Sequence, residues 1–263
     1  MMDIKDNTLI GMVHLDALPG SPDHQGMSTV VERAIEDAKD LQQGGVNAVL
    51  VENFGDKPYP KKISRETYQG FREVCGEVKN KIDLPVGVNV LRNDWRSALN
   101  LAKELELSFI RVNVYIGVTL TDQGVIQGKA DEIQRYIKSE NIEISIYADI
   151  HVKHGKTLYP EDLITGAVEA ERRGGVDALI VSGPATGETA DIEEVKAVKE
   201  CADVPVLVGS GVRLSNVKRF LEHADGAIIG SAFKYRGKAE NRVNPTRVEN
   251  MVGLLRDDIT LLS

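Results

Sequence analysis

The stretch Gly44-Gly45-Val46-Asn47-Ala48-Val49-Leu50-Val51 recurs as Gly174-Gly175-Val176-Asp177-Ala178-Leu179-Ile180-Val181. Each copy reads as the end of a helix, two glycines and a buried strand. The offset is 130 residues (174 minus 44), which is close to half of the 263-residue chain. Asp83-Leu84-Pro85-Val86 and Asp203-Val204-Pro205-Val206 repeat in the same order. Two matching half-barrels would produce this pattern.

Short runs rich in Val and Ile alternate with longer amphipathic segments along the whole chain. The spacing is about 33 residues per unit if there are eight units, close to one strand-and-helix step. The pattern predicts a (β/α)8 TIM barrel in one domain, residues 1–263. A doubly wound sheet is the rival, but its glycine fingerprint is missing after the first strand. The predicted strands are Leu9–His14, Ala48–Glu52, Val86–Val90, Phe109–Val114, Glu143–Asp149, Ala178–Ser182, Val206–Ser210 and Ala227–Gly230.

Polar residues occupy alternate positions near the carboxyl ends of these strands. Because side chains alternate across a strand, the apolar parity is expected to face the helices and the polar parity the barrel axis. The carboxyl ends of the strands form the catalytic face of this fold. Burying so many ionisable groups is costly without a task. The candidate catalytic residues are His14, Glu52, Asn89, Arg111, Asn113, Asp149, His151 and Lys153, with Ser182 sharing their parity.

The segment Asp149-Ile150-His151-Val152-Lys153-His154 has the densest set of reactive groups. Lys153 could act as an electrostatic clamp, a base or an imine-forming amine. His151 is a natural proton shuttle, and Glu52 or Asp149 could be its acid or base partner. A second interpretation is a divalent metal, as the one cofactor considered, held by His14, Glu52, Asp149 and His151.

The last three predicted strands end in glycine and small hydroxyl residues. Many TIM barrels bind phosphate between the loops after strands seven and eight, where glycine lets backbone N–H groups approach the anion. We therefore expect a phosphate site there, completed by a short helix over residues 231–235 and by nearby Arg111, Lys153 or Lys234. The candidate phosphate-binding residues are Ser182, Gly183, Thr186, Gly187, Gly209, Ser210, Gly211, Gly230 and Ser231.

Composition narrows the classes of partner. The net charge of −8 argues against nucleic acid and anionic membrane, which need a basic surface. No apolar run approaches a membrane span, and no signal peptide is recognisable. Two isolated cysteines, Cys75 and Cys201, fit a reducing cytoplasm. Self-association into a homo-oligomer is a further expectation, since barrels often do so.

The motifs together resemble the BtpA family, which includes SgcQ-like proteins. The resemblance spans nearly the whole chain, from Ile10–Leu15 and Val51–Asp56 through Ala148–His154 to Val181–Gly187 and Gly209–Gly211. The family resembles the ribulose-phosphate-binding barrels, which implies a phosphorylated ligand. Its name implies a role in the biogenesis of photosystem I.

Three functional hypotheses follow. The first is an isomerase, lyase or transferase that acts on a sugar phosphate or a nucleotide-derived phosphate. The second is a non-catalytic assembly factor of the kind that the family name implies. The third is a metal-dependent hydrolase or lyase that uses the same polar residues. Composition and motifs do not name the substrate or the reaction.

Overall fold

A computed structural model describes residues 2–151, 155–183 and 188–261, with side chains up to residue 256. Numbered along the chain, its strands are β1 (Thr8–His14), β2 (Ala48–Glu52), β3 (Val86–Asn89), β4 (Phe109–Val112), β5 (Val118–Thr121), β6 (Gly124–Gln127), β7 (Ser145–Asp149), β8 (Gly155–Tyr159), β9 (Ala178–Val181), β10 (Val206–Val208) and β11 (Gly226–Ile229).

The helices follow the barrel strands and form the outer layer. They are α1 (Met27–Gly44), α2 (Arg65–Lys81), α3 (Trp95–Leu105), α4 (Ala130–Glu140), α5 (Leu163–Arg172), α6 (Ile192–Cys201), α7 (Val217–Leu221) and α8 (Pro245–Leu261). A short 3-10 turn, Ser231–Phe233, follows β11, where the sequence predicts a short helix. None of the described helices has both the length and the apolar character that crossing a membrane requires.

Eight parallel strands close into a barrel in the order β1-β2-β3-β4-β7-β9-β10-β11. The predicted (β/α)8 barrel is therefore confirmed. Each of the eight predicted strands is present, although several end one or two residues before the predicted limit. The chain leaves the sheet there, so Asn113, Ser182 and Ser210 lie in the loops just beyond their strands.

A second, antiparallel sheet of order β6-β5-β8 lies outside the barrel and was not predicted. β5 and β6 form a hairpin whose two-residue turn, Asp122-Gln123, precedes Gly124 at φ +84°. A positive φ favours glycine, so the turn carries a local signal. β8 comes after β7 and is therefore far from the β5–β6 hairpin along the chain. It pairs with β5 because the folded barrel brings these two strands together.

The two repeated glycine pairs have the same backbone geometry and the same structural role in both halves of the barrel. Gly45 and Gly175 both have a left-handed backbone, with φ of +90° and +70°. Two residues later, Asn47 accepts a hydrogen bond from the backbone N–H of Leu9 at 2.8 Å, and Asp177 accepts one from Ile146 at 2.7 Å. Equivalent residues thus make equivalent hydrogen bonds to the neighbouring strand in each half, which explains why this stretch is repeated.

The side chains that face the barrel interior change from apolar to polar within two residues along a strand. Its apolar layer packs around the stacked rings of Phe109 and Tyr147, whose centroids are 4.7 Å apart. Two residues onward, Phe109 is followed by Arg111 and Tyr147 by Asp149, on the same face of their strands. The other members of the apolar layer are Ile10, Met12, Ala48, Leu50, Ala178, Ile180, Leu207 and Ile228.

The apolar layer closes the barrel below, and the polar layer faces the open carboxyl end above it. Strand pairing sets the height of the polar side chains, because His14 of β1 lies opposite Glu52 of β2, and Glu52 opposite Asn89 of β3. The fold therefore collects polar residues from separate strands at one level.

Candidate active site

A cavity of about 320 Å³ opens above the polar layer. This volume is near the lower end of the roughly 300–1,000 Å³ that small-molecule sites occupy. Of the residues predicted from the sequence, it is lined by His14, Glu52, Arg111, Asn113, Gly209, Ser210, Gly211, Gly230 and Ser231.

Arg111 and Asp149 form the central ion pair beneath this cavity. The guanidinium donates from Nε to Oδ2 at 3.0 Å and from Nη2 to Oδ1 at 2.8 Å. Asn113 adds a hydrogen bond to Oδ2 at 2.7 Å, and Ser182 adds one to Oδ1 at 3.1 Å. The carboxylate therefore accepts four hydrogen bonds, and its main effect is to hold Arg111 in place.

The charge of Arg111 is maintained by this pair. Burial acts to lower the pKa of the guanidinium, whereas the charge and hydrogen bonds of Asp149, with a smaller effect of Glu52, raise it above its ordinary value. Asn89 supports the same network by donating to the backbone oxygen of Arg111 at 3.0 Å and to Asn113 Oδ1 at 3.2 Å.

His14 and Glu52 form a second pair at the side of the cavity. Nε2 of His14 lies 3.9 Å from Oε1 of Glu52, and Nδ1 lies 3.0 Å from the backbone oxygen of Ala239. A carbonyl oxygen only accepts, so Nδ1 carries a proton and Nε2 is the nitrogen that can exchange one. The imidazole also stacks on Phe54, with ring centroids 4.6 Å apart.

The loops after β10 and β11 form a wall of small residues, which we call the glycine-serine wall: Gly209, Ser210, Gly211, Gly230 and Ser231. Ser210 also accepts a hydrogen bond from the backbone N–H of Gly183 at 2.8 Å, which ties the β9 loop to this wall. A Cβ on Gly230 would lie 2.9 Å from Cε1 of His14, so only glycine leaves room for the imidazole.

Several predicted site residues lie elsewhere. Lys153, Thr186 and Gly187 fall outside the residues that the structure describes. His151 does not line the cavity, because the chain turns away after β7. Burial lowers the pKa of His151, against a smaller opposing effect of Glu194.

The expected contribution of Lys234 to phosphate binding is not supported. Its ammonium group is fully buried and donates to Asp37 Oδ2 at 2.6 Å, and Asp37 also accepts from the backbone N–H of Val243 at 2.7 Å. This pair anchors the segment after β11 to α1. Lys234 therefore has a structural role in this buried ion pair.

The alternative metal site is not assembled in the part of the chain that the structure describes. Within residues 2–151, 155–183 and 188–261, no three or more His, Cys, Asp or Glu side chains are arranged to hold a metal ion. Asp149 is occupied by Arg111 and its neighbours, and His151 is not among the residues that line the cavity with His14 and Glu52.

The sequence did not predict four aromatic or cationic residues that line the cavity: Phe54, Lys57, Tyr59 and Arg92. All of them follow β2 or β3 in loops, where strand alternation no longer assigns a direction to a side chain. The nearest available signal was their position, since residues just past the strand ends of a TIM barrel form the site.

The fold and the cavity define a TIM barrel with a small polar site at the carboxyl ends of its strands. The chain belongs to the BtpA family, whose model matches residues 5–257. The family membership expected from the sequence is thereby confirmed.

Relatives extend over nearly the whole chain. An uncharacterised protein of Pyrococcus horikoshii is 41% identical over 256 residues, which cover 97% of this chain and 98% of that protein. The photosystem I biogenesis protein BtpA of a Synechocystis strain is 37% identical over 256 residues, covering 96% of this chain and 89% of its own.

Solved structures share the fold at low identity. Thiamine phosphate pyrophosphorylase from Pyrococcus furiosus matches with a TM-score of 0.61 and 14% identity, covering 96% of this chain and 97% of its own. N-(5'-phosphoribosyl)anthranilate isomerase from the same organism matches with a TM-score of 0.59 and 12% identity, covering 95% and 99%. At such identities the likeness establishes the fold alone.

Proposed function

We propose that the protein is an enzyme that binds a small phosphorylated molecule above the barrel and moves a proton on it. The observation that carries this proposal is the shape of one cavity, which has the glycine-serine wall on one side and His14 with Glu52 beside it. The reaction class is an isomerisation, a lyase reaction or a group transfer.

The glycine-serine wall supports the phosphate assignment. Its glycines allow backbone N–H groups to approach an anion, and Ser231 adds a hydroxyl donor. Ser231 also begins the short 3-10 turn after β11, at the place where phosphate binds in many TIM barrels. The printed names of two structural neighbours, a thiamine phosphate pyrophosphorylase and a phosphoribosylanthranilate isomerase, also refer to phosphorylated compounds.

His14 is the proposed acid and base. Its hydrogen bond to Ala239 fixes the tautomer in which Nε2 can take up a proton. Glu52 lies close enough to stabilise the imidazolium that this step forms. Asp149, in contrast, is proposed to act by positioning Arg111, whose charge would stabilise negative charge on the substrate.

Thermal shift against sugar phosphates tests this function. At a ligand concentration of 100 times Kd, a bound phosphosugar should raise Tm by about 5–10 °C. Ser231→Asp should abolish the shift, because it places a carboxylate in the phosphate wall. Ser139→Asp is the matched control on the exposed end of α4 and should leave the shift unchanged. A panel of phosphosugars and nucleotides that gives no shift would refute the proposal.

A non-catalytic assembly factor is the competing role, and its support is the name of the Synechocystis relative, a photosystem I biogenesis protein. The buried ion pair of Arg111 and Asp149 beneath a cavity favours an enzyme, because an assembly surface does not need buried charges. A His14→Gln variant that keeps its cellular phenotype, while a surface variant loses it, would favour the assembly role.

A further inference from the structure

The cavity has a second side that faces the glycine-serine wall. In the closed strand order, β3 is third and β10 is seventh, so these two strands stand across the barrel from each other. Arg92 follows β3, and Lys57 and Tyr59 follow β2. All three line the cavity, and β3, which Arg92 follows, is the strand opposite β10.

Arg92 is a buried cation with unused hydrogen-bonding capacity. The residue is 7% exposed, and its Nε is buried without a hydrogen-bond partner among the described residues. Its Nη1 lies 3.3 Å from Oδ1 of Asp122, a side chain that is 62% exposed on the β5–β6 hairpin. The guanidinium of Arg92 lines the cavity, so an anion that binds there could accept charge-assisted hydrogen bonds from it.

The other cations of the cavity are differently placed. Arg111 is neutralised by Asp149 at hydrogen-bonding distance. Lys57 is exposed, and its Nζ lies 4.1 Å from the centroid of the Phe54 ring, which itself stacks on His14. Arg92 and Lys57 therefore bring positive charge to the cavity, and the carboxylate that pairs with Arg92 is the exposed one of Asp122.

Tyr59 makes this side rigid. Its hydroxyl donates to the backbone oxygen of Phe54 at 2.8 Å. Burial raises the pKa of Tyr59, with a further contribution from the charge of Glu52, so the hydroxyl stays protonated and keeps donating.

We propose that Arg92 and Lys57 form a second anion subsite, and that the substrate is a small molecule with an anionic group at each end. This inference rests on the proposed function, which places a phosphate at the glycine-serine wall. The second group is a phosphate or a carboxylate. His14 of β1 and Glu52 of β2 lie on the arc of strands between β11 and β3, so the reacting atoms lie between the two anions.

Isothermal titration with three pentose derivatives tests this assignment. Ribose 5-phosphate has one anionic end, whereas 5-phosphoribonate adds a carboxylate and ribulose 1,5-bisphosphate adds a second phosphate. At least one doubly charged ligand should bind about tenfold more tightly than ribose 5-phosphate. The carboxylate and phosphate arms distinguish the two forms of the second anion.

Arg92→Met keeps the apolar stem and removes the charge. It should weaken the doubly charged ligand about tenfold and leave ribose 5-phosphate within roughly twofold. Arg72→Met is the matched control, since Arg72 pairs with Glu104 on the exposed surface of α2 and lines no part of the cavity. Lys57→Met, at an exposed position, provides a second variant in case Arg92→Met folds poorly.

The outcomes separate the two proposals. If a doubly charged ligand binds no more tightly than ribose 5-phosphate, or is insensitive to both Arg92→Met and Lys57→Met, the subsite is refuted while the phosphate wall stands. If Ser231→Asp leaves all binding intact but Arg92→Met weakens it, the subsite stands and the phosphate wall is refuted. If none of the three ligands binds, both proposals fail.

Discussion

Replacing Asp149 by asparagine should destabilise the protein by about 3 kcal/mol, because it breaks a buried ion pair from one side. The side chains of Arg111 and Asp149 are 5% and 1% exposed. The substitution keeps the size of the side chain and removes its charge, which leaves the guanidinium buried without a carboxylate.

The magnitude follows from the contacts. The carboxylate accepts four hydrogen bonds, two from Arg111, one from Asn113 and one from Ser182. Asparagine retains one oxygen, and its amide N–H group would face donors. At least one or two donors therefore lose their acceptor, at about 1–3 kcal/mol each, which agrees with the 3–5 kcal/mol cost of breaking a buried pair.

Urea denaturation of wild type and variant measures this loss as a change in midpoint at constant m-value. Asp122→Asn is the matched control, because Asp122 pairs with Arg92 from an exposed position, and it should cost about 1 kcal/mol or less. Arg111→Met combined with Asp149→Asn should recover part of the loss, since no unpaired cation remains.

A loss below about 1 kcal/mol for Asp149→Asn, equal to that of the exposed control, would refute the reasoning. It would show that the pair is more hydrated than its burial indicates. The double variant provides an independent check, because a non-additive result requires that the two side chains interact.

Three further predictions concern the scaffold and the cavity. Partial burial raises the pKa of Asp177, so the stability of the wild type should fall as the pH rises from 3.8 toward the raised pKa. Asp177→Asn keeps the acceptor and cannot ionise, so urea denaturation of this variant should lack that pH-dependent loss. Lys234→Met should cost about 3–5 kcal/mol by the same method, since it leaves the Asp37 carboxylate buried, and a further Asp37→Asn should restore part of this. Gly230→Ala should cost about 1–3 kcal/mol and shift the NMR signals of His14, whose Cε1 would lie 2.9 Å from the new Cβ; unchanged signals would contradict this account.

Much of the site was predictable because strand alternation is a local rule. Side chains two residues apart on a strand share a face, so Arg111 lies on the same face as Phe109, and Asp149 on the same face as Tyr147. The barrel then brings Arg111 and Asp149 to the same height, where they form a hydrogen bond. The same rule failed for His151, because it lies beyond the end of β7, where the chain has left the sheet. The loop residues Lys57 and Arg92 have no periodicity that could assign them.

Chemical roles were less predictable than positions. The sequence places Asp149 among the acid and base candidates, and its four hydrogen bonds show a carboxylate that fixes Arg111. The tautomer of His14 depends on Ala239, which lies 225 residues away in the chain. No short-range pattern contains such a contact.

The sequence by itself determined the barrel, its half-barrel repeat and the polar level above its core, since these depend on alternation and on strand and helix lengths. The tertiary structure decided which charges are neutralised, because Asp149 of β7 meets Arg111 only when β7 pairs with β4, and Asp37 of α1 meets Lys234 only when the outer layer packs on the barrel. Arg92 and Arg111 are the same residue type in the sequence. Only the fold gives Arg111 a buried carboxylate and leaves Nε of Arg92, beside the cavity, without a hydrogen-bond partner among the residues that the structure describes.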